Sequence, residues 1–595
     1  MKADRIMFVS GIMKSVALII LSVAAIILTV NVLLPVAQAL EFVKSPPLES
    51  VISSSVEDVK NSTMVKVPVI TWGGDMATIL ANGNAVKSVG SSIFGQKGLN
   101  LELVRVDSFK KQVEDYIKGD SPYLRGTMGM INMAAPLLSK SPATKPVIIY
   151  QMTWSNGGDC LVVKQGIKTA KDLKGKTVAL QAYGPHVEYL ATIIKDAGLT
   201  PDDITIRWTK DLTGSSETPA EAFALNSDNS NNVKGGSKDR VDAAFVIIPD
   251  GLMLTSNGTV GTGSEGSVKG ARIMLSTRTA NRVIADVYAV RSDYLASKRE
   301  EVKKFVHGLM LAEQAIRPIF KNRAQNIEDY KQVVTASAEI LFDSRQATAD
   351  AEALYGDVEF AGFKGNVEFF ANTNWSRNMV NLNREIGRSF AAIGLISSAV
   401  PVDHAMWDYN DMKTGLAGIS DIAVPRFKSD EVARVVAKKQ SLGTLDEGEL
   451  FSFEINFDPN QKEFSDDLYS AQFAKVVELA ATYGGAIITV EGHSDPLKYN
   501  KMESQGANAV ELKRVKQAAK NLSLSRALAV RNSIQSFAST RNVPLDDSQL
   551  TVVGHGISMP KYPSPSTKEE WLQNMRVVFR IIQVEAEESV FEPFN

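Results

Sequence analysis

TVALQAYGPHVEYLATIIKDA, residues 177–197, is the stretch that decides the fold class of this chain. Thr177–Leu180 is short, apolar and rich in strand-forming residues, which predicts a buried β-strand. Gly184 and Pro185 then interrupt the pattern in a turn, and apolar residues recur at helical spacing from His186 to Ala197. The order strand, turn and helix within a single short stretch is typical of an α/β fold.

The same alternation continues on both sides of this stretch. Further short apolar runs predict strands, and the segments between them predict helices, of which Phe109–Ile117 and Glu300–Ile316 are the most regular. Strands that alternate with helices favour an α/β architecture with largely parallel sheets. The other predicted strands are Val67–Ile70, Leu101–Val106, Gly129–Asn132, Pro146–Gln151, Ile204–Trp208, Ala243–Ile248 and Val287–Val290.

Length and composition exclude several classes of protein. A chain of 595 residues is long enough for several domains. Hydrophobic residues make up 44% of it and charged residues 22%, a composition that is typical of a globular protein. A net charge of −2 offers no basic field for nucleic acid. The single cysteine, Cys160, excludes an internal disulfide, and the five histidines lack a zinc-site spacing. We therefore expect no metal, no cofactor and no nucleic-acid partner.

The N-terminal residues predict an exported protein. Lys2, Arg5 and Lys14 precede the uncharged run Val16–Leu34, which is long enough to cross a bilayer once. Basic residues on this side place the N-terminus in the cytoplasm and the rest of the chain in the periplasm. We expect residues 1–40 to form an inner-membrane anchor. The alternative is a signal peptide cleaved after Ala39.

A family resemblance lies in the segment that leads into Thr177. The sequence GIKTAKDLKGKTV (166–178) resembles the GI…DLKGK…V segment of solute-binding proteins, and later runs at 196–204, 241–244 and 286–291 fit the same pattern. Together they resemble the nitrate, sulfonate, taurine and NMT1-like branch of the type 2 periplasmic binding proteins. The resemblance implies that residues 66–425, after a polar linker at 41–65, form two α/β lobes that close over a small molecule.

The loops that directly follow predicted strands are the candidate ligand-binding positions. Ligands of open α/β sheets bind at the carboxyl ends of strands, where helix N-termini also offer free N–H groups to anions. Aromatic rings would supply flat walls, and glycines would permit close backbone approach. The candidates are Trp72, Gly73, Gly74, Asp75, Ala134, Thr153, Trp154, Gln181, Tyr183 and Asp250.

Several cleft candidates also have a purely structural interpretation. Trp72 and Trp154 fit a core equally well, the glycine pair fits a plain turn, and Asp75 fits a helix cap. No cluster of Arg or Lys marks a phosphate or sulfonate site, so the ligand stays open. Enzymes of thiamine-pyrimidine synthesis resemble this fold but use a Cys-rich motif that this chain lacks. We therefore expect a binding protein and no catalytic residue.

The C-terminal residues resemble a second family. The matching runs are INF (455–457), VEGHSD (490–495), LSLSRA (522–527), GHG (554–556) and NMRV (574–577). With the predicted element order β-α-β-α-β-β over 449–585, they resemble the OmpA-like peptidoglycan-binding domain. A polar linker at 426–448 precedes this domain, and residues 586–595 form a tail.

The OmpA-like resemblance implies a site for the diaminopimelate group of the peptidoglycan stem peptide. Matching the motifs places an ammonium-binding role on Asp495 and a carboxylate-binding role on Arg526, with Asn574 and Arg576 assisting. A turn cap at Asp495 and a structural ion pair at Arg526 are the alternatives. Asp495 and Arg526 are 31 positions apart, more than is usual in the family, because of an insert from Pro496 to about Lys520.

Taken together, the sequence predicts a periplasmic solute-binding receptor that is anchored in the inner membrane and attached to peptidoglycan without a covalent bond. Its expected partners are a small molecule, peptidoglycan and an ABC permease or another envelope complex. The alternative is a structural tether between membrane and wall that uses the binding-protein fold as a scaffold.

Overall fold

The computed structural model describes residues 41–214, 217–225, 240–264, 266–417, 427–445, 448–456, 464 and 466–583. The predicted membrane segment 1–40 and tail 586–595 lie outside these ranges. Within them, every helix is too short or too polar to span a bilayer.

The first lobe is built on two sheets. Strands β1 (Val65–Val69) and β2 (Leu101–Arg105) pair in parallel. A second sheet has the order β11-β4-β10-β3, and a short strand, β12, also pairs with β4. Its strands are β3 (Tyr123–Thr127), β4 (Pro146–Ser155), β10 (Ala285–Arg291), β11 (Val358–Phe360) and β12 (Asp403–His404). The lobe's first helices are α1 (Asp75–Ala81), α2 (Ile93–Gln96), α3 (Phe109–Ile117) and α4 (Met128–Leu138).

The second lobe is a five-stranded sheet of order β7-β6-β8-β5-β9. Its strands are β5 (Asp159–Val163), β6 (Thr177–Gln181), β7 (Thr205–Thr209), β8 (Ala243–Ile247) and β9 (Arg272–Ser276). Helices α5 (His186–Asp196), α6 (Pro219–Leu225) and α7 (Ile248–Leu254) accompany it. The stretch 177–197 thus forms the predicted strand-turn-helix unit. The chain passes between the lobes twice, at 156–158 and at 277–284.

A helical segment follows strand β10, as the sequence predicts. Its first helix, α8, is long and departs from helical geometry at Lys298. Glu313 of α8 is completely buried, and its carboxylate accepts a hydrogen bond from the backbone N–H of Gly362 at 2.7 Å. The helices are α8 (Ser292–Lys321), α9 (Ile327–Phe342), α10 (Thr348–Gly356), α11 (Gly362–Ala371) and α12 (Met379–Ile393).

The C-terminal region has a four-stranded sheet of order β13-β16-β14-β15, in which only β14 and β15 are parallel. The predicted element order is present with additional helices. The strands are β13 (Glu449–Asn456), β14 (Ala486–His493), β15 (Leu550–Gly556) and β16 (Arg576–Gln583). The helices are α13 (Ser429–Leu442), α14 (Asp466–Thr482), α15 (Leu497–Ser504), α16 (Ala509–Thr540) and α17 (Lys568–Asn574).

Both segments predicted as linkers make packing contacts. In the first, Leu48 and Ile52 are buried in the same apolar cluster as helices α4 and α5. In the second, Val432 and Val436 of α13 are buried against Ile487 of the C-terminal sheet. Apolar residues four positions apart within a polar stretch are the signal of this packing, and overall composition obscures it.

The C-terminal region packs against the second lobe. Lys195 of α5 forms an ion pair with Glu478 of α14 at 2.9 Å, and the hydroxyl of Tyr483 donates to Asp196 at 3.0 Å. The backbone N–H of Gly485 donates to the carbonyl of Thr279 at 3.1 Å, within the second crossing between the lobes. One cluster of buried apolar residues runs through this junction.

One predicted element of the first lobe is wrong. Gly129–Asn132, predicted as a strand, lies in helix α4, and strand β3 comes directly before it. The sequence of α4 is apolar on all sides, so periodicity does not distinguish a buried helix from a strand. The hydroxyl of Thr127 accepts from the N–H of Met130 at 3.2 Å and so caps a helix at this point. Ala134 therefore lies inside a buried helix and not in a loop.

Candidate functional site

The loop after β1 leads into a buried network of charges. Asp75 begins helix α1 and is fully buried, and its carboxylate accepts hydrogen bonds from the Arg125 guanidinium at 2.9–3.2 Å. The other side of the Arg125 guanidinium donates to Asp286 at 2.8 Å. Arg125 is itself fully buried, so the cation lies between two carboxylates away from water. Asp75 is thus neither in contact with solvent nor a simple helix cap.

Thr153 and Trp72 extend this network. The Thr153 hydroxyl donates to Asp286 at 3.0 Å and accepts from the indole N–H of Trp72 at 3.2 Å. Burial raises the pKa of Asp75 to about 7, although Arg125 acts in the opposite direction. Burial also raises the pKa of Asp286. The two acids share one cation, so the three side chains form a buried ion triad.

Trp154 and the glycine pair have packing roles. Trp154 lies within strand β4 rather than in a loop, and its ring meets Phe369 and Trp375 edge-on at 5.8 and 6.0 Å between centroids. Gly73 is buried so closely against the backbone carbonyl of Leu354 that no side chain fits there. Gly74 is buried against Thr153. These positions support the first lobe and do not face open solvent.

The second-lobe candidates are more accessible. Gln181, Tyr183 and Asp250 are all partly exposed. Tyr183 adopts a positive φ of 60°, and its hydroxyl donates to the carbonyl of Pro46 at 2.7 Å. Asp250 lies in the first turn of α7, where burial raises the pKa of its carboxyl and His186 lowers it. Together with Trp72, these are the predicted cleft residues that remain partly exposed to solvent.

An interlobe contact occupies the N-terminus of helix α4. The backbone N–H of Gly129 donates to the Glu188 carboxylate at 2.6 Å, and Glu188 belongs to helix α5 of the second lobe. Burial raises the pKa of Glu188 well above its usual range. A free helix N-terminus binds anions, so a carboxylate of the protein itself lies where an anionic ligand would bind. The prediction of candidate residues from loops alone missed this glutamate.

Polar side chains join the two crossings between the lobes. Ser155 donates to Asp159 at 2.6 Å, and its hydroxyl oxygen lies 2.8 Å from that of Thr277. His186 Nε2 lies 2.7 Å from the other carboxylate oxygen of Asp159. Ser155 and Asp159 flank the first crossing, Thr277 begins the second and His186 begins helix α5, so the network links both crossings to the second lobe. His186 is fully buried and is part of this support.

The C-terminal candidates meet at one end of their sheet. Asp495 follows strand β14, and its carboxylate accepts from the Asn574 side-chain amide at 2.9 Å and from the N–H of Leu497 at 2.8 Å. Asn574 is fully buried and is held in place by two hydrogen bonds of 2.8 Å with the backbone of Tyr562. The hydrogen-bond partners of Asp495 are therefore neutral groups. Burial raises the pKa of its carboxyl.

Helix α16 brings Arg526 to the same end of the sheet. Ser523 lies so close to Gly492 that a Cβ at Gly492 would collide with the Ser523 carbonyl. Asp495 is three residues beyond Gly492, and Arg526 is one helical turn beyond Ser523. Arg526 is 5% exposed, and burial lowers the pKa of its guanidinium. Arg576 pairs with Glu454 at 3.4 Å and donates to the carbonyl of Met559 at 3.3 Å.

Glu491, His493 and His555 form a buried cluster within the described residues whose possible ligand atoms lie within 4.8 Å of one another. His555 Nε2 lies 3.0 Å from Glu491, and the Arg580 guanidinium donates to the same carboxylate at 2.8 Å. Burial, with Arg576 nearby, lowers the pKa of His493 to about 2. Two guanidinium groups at this cluster repel a divalent cation, so the cluster fits a hydrogen-bonded support better than a metal site.

Comparison with known proteins finds one family model that matches part of the chain and several solved structures of low sequence identity. Residues 147–317 match the family model described as NMT1/THI5 like, which covers less than a third of the chain. No curated protein matches the chain. A solved structure of the periplasmic aliphatic sulphonate binding protein SsuA from Escherichia coli is 14% identical, covers 61% of this chain and 97% of its own, and has a TM-score of 0.38.

Two further solved structures are similar at the same level. The alkanesulfonate-binding protein SsuA from Xanthomonas axonopodis pv. citri, bound to MOPS, is 13% identical, covers 58% of this chain and 97% of its own, and has a TM-score of 0.37. The desulfurization enzyme DSZB is 16% identical, covers 58% and 98%, and has a TM-score of 0.34. Likenesses this distant carry no conclusion about function. The family similarity shown for this chain is that of residues 147–317 to NMT1/THI5-like proteins.

Proposed function

We propose that this protein is a periplasmic solute-binding receptor that is anchored by its N-terminal segment and attached to peptidoglycan through its C-terminal region. The observation that carries the attachment is the placement of Asp495, Asn574 and Arg526 at one end of the C-terminal sheet. The match of residues 147–317 to an NMT1/THI5-like family supports the binding-protein part. The uncharged run Val16–Leu34 supports the anchor.

The electrostatics of the C-terminal site suit a zwitterionic ligand. Burial disfavours the charged forms of both Asp495 and Arg526, since it raises the pKa of the acid and lowers that of the base. The free end of diaminopimelate carries an ammonium and a carboxylate. An ammonium at Asp495 and a carboxylate at Arg526 would stabilise both charges at once, and Asn574 would keep the Asp495 side chain in position.

Co-sedimentation of the full-length protein with purified peptidoglycan sacculi tests the attachment. We expect the wild type to sediment with sacculi and Arg526→Gln to remain in the supernatant. Lys568→Gln, a change of one exposed charge on helix α17, is the matched control and should sediment like the wild type. Equal sedimentation of all three proteins would contradict the assignment of the site.

Native mass spectrometry of the full-length protein tests the receptor function. Trp72, Gln181, Tyr183 and Asp250 remain partly exposed at the strand ends and provide the ligand contacts in this proposal. We expect a stoichiometric small molecule to be released when the gently purified protein is denatured. Such a ligand would pass to an ABC permease or signal its presence to another envelope complex.

One observation favours the second candidate function, a structural tether. The Glu188 carboxylate fills the N-terminus of helix α4, and Asp75 and Thr153 are engaged within the protein. A cleft whose polar groups bind one another has less need of a ligand. Absence of a released molecule, with no thermal shift across small anions, amines and pyrimidines, would support the tether and contradict the receptor.

A further inference from the structure

The insert between Asp495 and Arg526 forms a basic helical hairpin. The hairpin consists of residues 497–520, which comprise helix α15, a short turn and the first part of helix α16. It contains six basic and two acidic residues, in a chain whose net charge is −2. All six basic side chains are exposed, namely Lys498, Lys501, Lys513, Arg514, Lys516 and Lys520.

Three of these lysines share one face of helix α16. Lys513, Lys516 and Lys520 have the spacing i, i+3 and i+7, which places their side chains in one row along a helix. The two acidic residues contribute little to that row. Glu511 accepts the N–H of Asn508 in the helix cap, and Glu503 is on helix α15 beside Tyr499. The row is therefore a continuous strip of positive charge.

The hairpin is continuous with the proposed stem-peptide site. It begins directly after Asp495, whose carboxylate accepts the N–H of Leu497, and it ends in the helix that carries Arg526. Asn500 also donates to the carbonyl of Pro563 at 2.8 Å, in the loop that positions Asn574. At about 1.5 Å per helical residue, Lys520 and Lys513 lie about 9 and 20 Å along α16 from Arg526. The row thus leads away from the site along one rigid element.

We propose that this basic hairpin is a second contact surface for peptidoglycan, and that it binds carboxylates of the polymer around the stem peptide held at Asp495 and Arg526. The inference rests on the proposed wall attachment and adds the recognition of the polymer beyond a single stem peptide. Peptidoglycan carries carboxylates along its length, so a row of exposed cations complements it. Binding through exposed charges is screened by salt, whereas the buried site is affected much less.

The experiment compares two triple variants of the full-length protein. The first carries Lys513→Gln, Lys516→Gln and Lys520→Gln. The control carries Lys110→Gln, Lys321→Gln and Lys438→Gln, which are also exposed and change the net charge by the same amount. Affinity for purified sacculi is measured across a salt series, and affinity for the soluble tripeptide L-Ala-γ-D-Glu-diaminopimelate is measured by calorimetry.

We expect the hairpin variant to bind sacculi about tenfold more weakly at low salt and to lose most of the salt dependence, because several modest surface pairs add up. Its affinity for the tripeptide should equal that of the wild type and of the control. Unchanged affinity of the hairpin variant for sacculi would overturn the proposal while the attachment stands. Failure of the wild type to bind either sacculi or tripeptide would overturn the attachment as well.

An anionic membrane is the competing target of this row, and vesicles of phosphatidylglycerol test it. We expect that residues 513–520 do not cause a preference for these vesicles over neutral phosphatidylcholine vesicles. The wild type and the hairpin variant should therefore bind the two kinds of vesicle in the same ratio. A loss of vesicle binding in the hairpin variant, with unchanged binding to sacculi, would assign the hairpin to lipid and overturn the proposal.

Discussion

Arg125 in the first lobe and Asp495 in the C-terminal region are charged groups with different surroundings. Arg125 lies between the carboxylates of Asp75 and Asp286, so its charge is neutralised within the protein. Asp495 is half-buried, and it accepts hydrogen bonds only from an amide side chain and a backbone N–H among its described partners. The first arrangement stabilises the fold. Among the contacts described for Asp495, no cation neutralises its carboxylate, and in the function proposed above a ligand ammonium takes that role.

The largest expected effect concerns the first of these arrangements. Arg125→Met should lower the free energy of unfolding by about 3–5 kcal/mol, because two buried carboxylates lose their common cation. Denaturant unfolding measures this loss. Arg323→Met is the matched control, since Arg323 forms an exposed ion pair with Glu352 and its loss should change stability by less than about 1 kcal/mol. Equal effects of the two changes would contradict a structural role for the triad.

A pH titration of stability examines another buried carboxylate of the chain. Burial raises the pKa of Glu313 from 4.5 to about 8, despite the opposing effect of Arg317. The folded protein therefore binds more protons than the unfolded chain between these two pH values. Stability should fall as pH rises from about 4.5 to 8, by up to about 1.4 kcal/mol per pH unit from this group.

Glu313→Gln isolates this contribution, because the amide oxygen of glutamine still accepts the N–H of Gly362. The variant should lose stability less steeply than the wild type over the same pH range in thermal unfolding. Parallel pH profiles of the two proteins would show that the Glu313 carboxyl does not titrate as described.

The complementary change in the C-terminal region should affect binding and not stability. Asp495→Asn keeps an oxygen for the N–H of Leu497 but removes the negative charge, so we expect tenfold or greater loss of tripeptide affinity by calorimetry. The free energy of unfolding should change by less than about 1 kcal/mol, as for other partly exposed positions. A large loss of stability with intact tripeptide binding would show that Asp495 stabilises the fold and does not bind the ligand.

The smallest expected effect concerns the interlobe contact at helix α4. Glu188→Ala should free the N–H of Gly129 and allow weak binding of small anions such as methanesulfonate. A thermal shift of a few degrees at millimolar anion, absent from the wild type, would be the sign of this binding. No shift in the variant would show that removal of the Glu188 carboxylate does not make the N-terminus of helix α4 accessible to anions.

Periodicity along the chain was sufficient for most of the elements but not for the strand directions. The sheets of the two lobes are mixed and not largely parallel as predicted, since β10 is antiparallel to β3 and β4, and β5 is antiparallel to β8 and β9. The alternation of strands and helices, the strand at 177–181 and the element order of the C-terminal region could all be read from the sequence. Helix α4 could not, because a segment that is apolar on every side has no informative period. Trp154 was predicted to lie in a loop but lies in a strand, because β4 extends four residues beyond Gln151, where the predicted strand ends.

The site residues also differ in whether nearby sequence or only the packing of distant segments reveals them. Motif positions predicted Asp495, Asn574 and Arg526, and the structure joins Asp495 and Asn574 by a hydrogen bond. Their role in ligand binding stays a prediction. Asp286 stood in a run that matched the solute-binding family, yet nothing local linked it to Arg125 or Asp75. Glu188 is simply the third residue of its helix in sequence. These partners are far apart along the chain, and only packing of the lobes brings them together.

By itself the sequence determined the α/β class, the uncharged N-terminal run, the motifs of both regions and the charge of the hairpin insert, because each depends on residues close together in the chain. Tertiary structure decided which charges are neutralised. Arg125 lies 50 residues from Asp75 and 161 residues from Asp286 along the chain, so their ion triad exists only after the lobe has folded. Burial then makes an internal ion triad of these three charges, whereas Asp495 stays half-buried beside neutral hydrogen-bond partners.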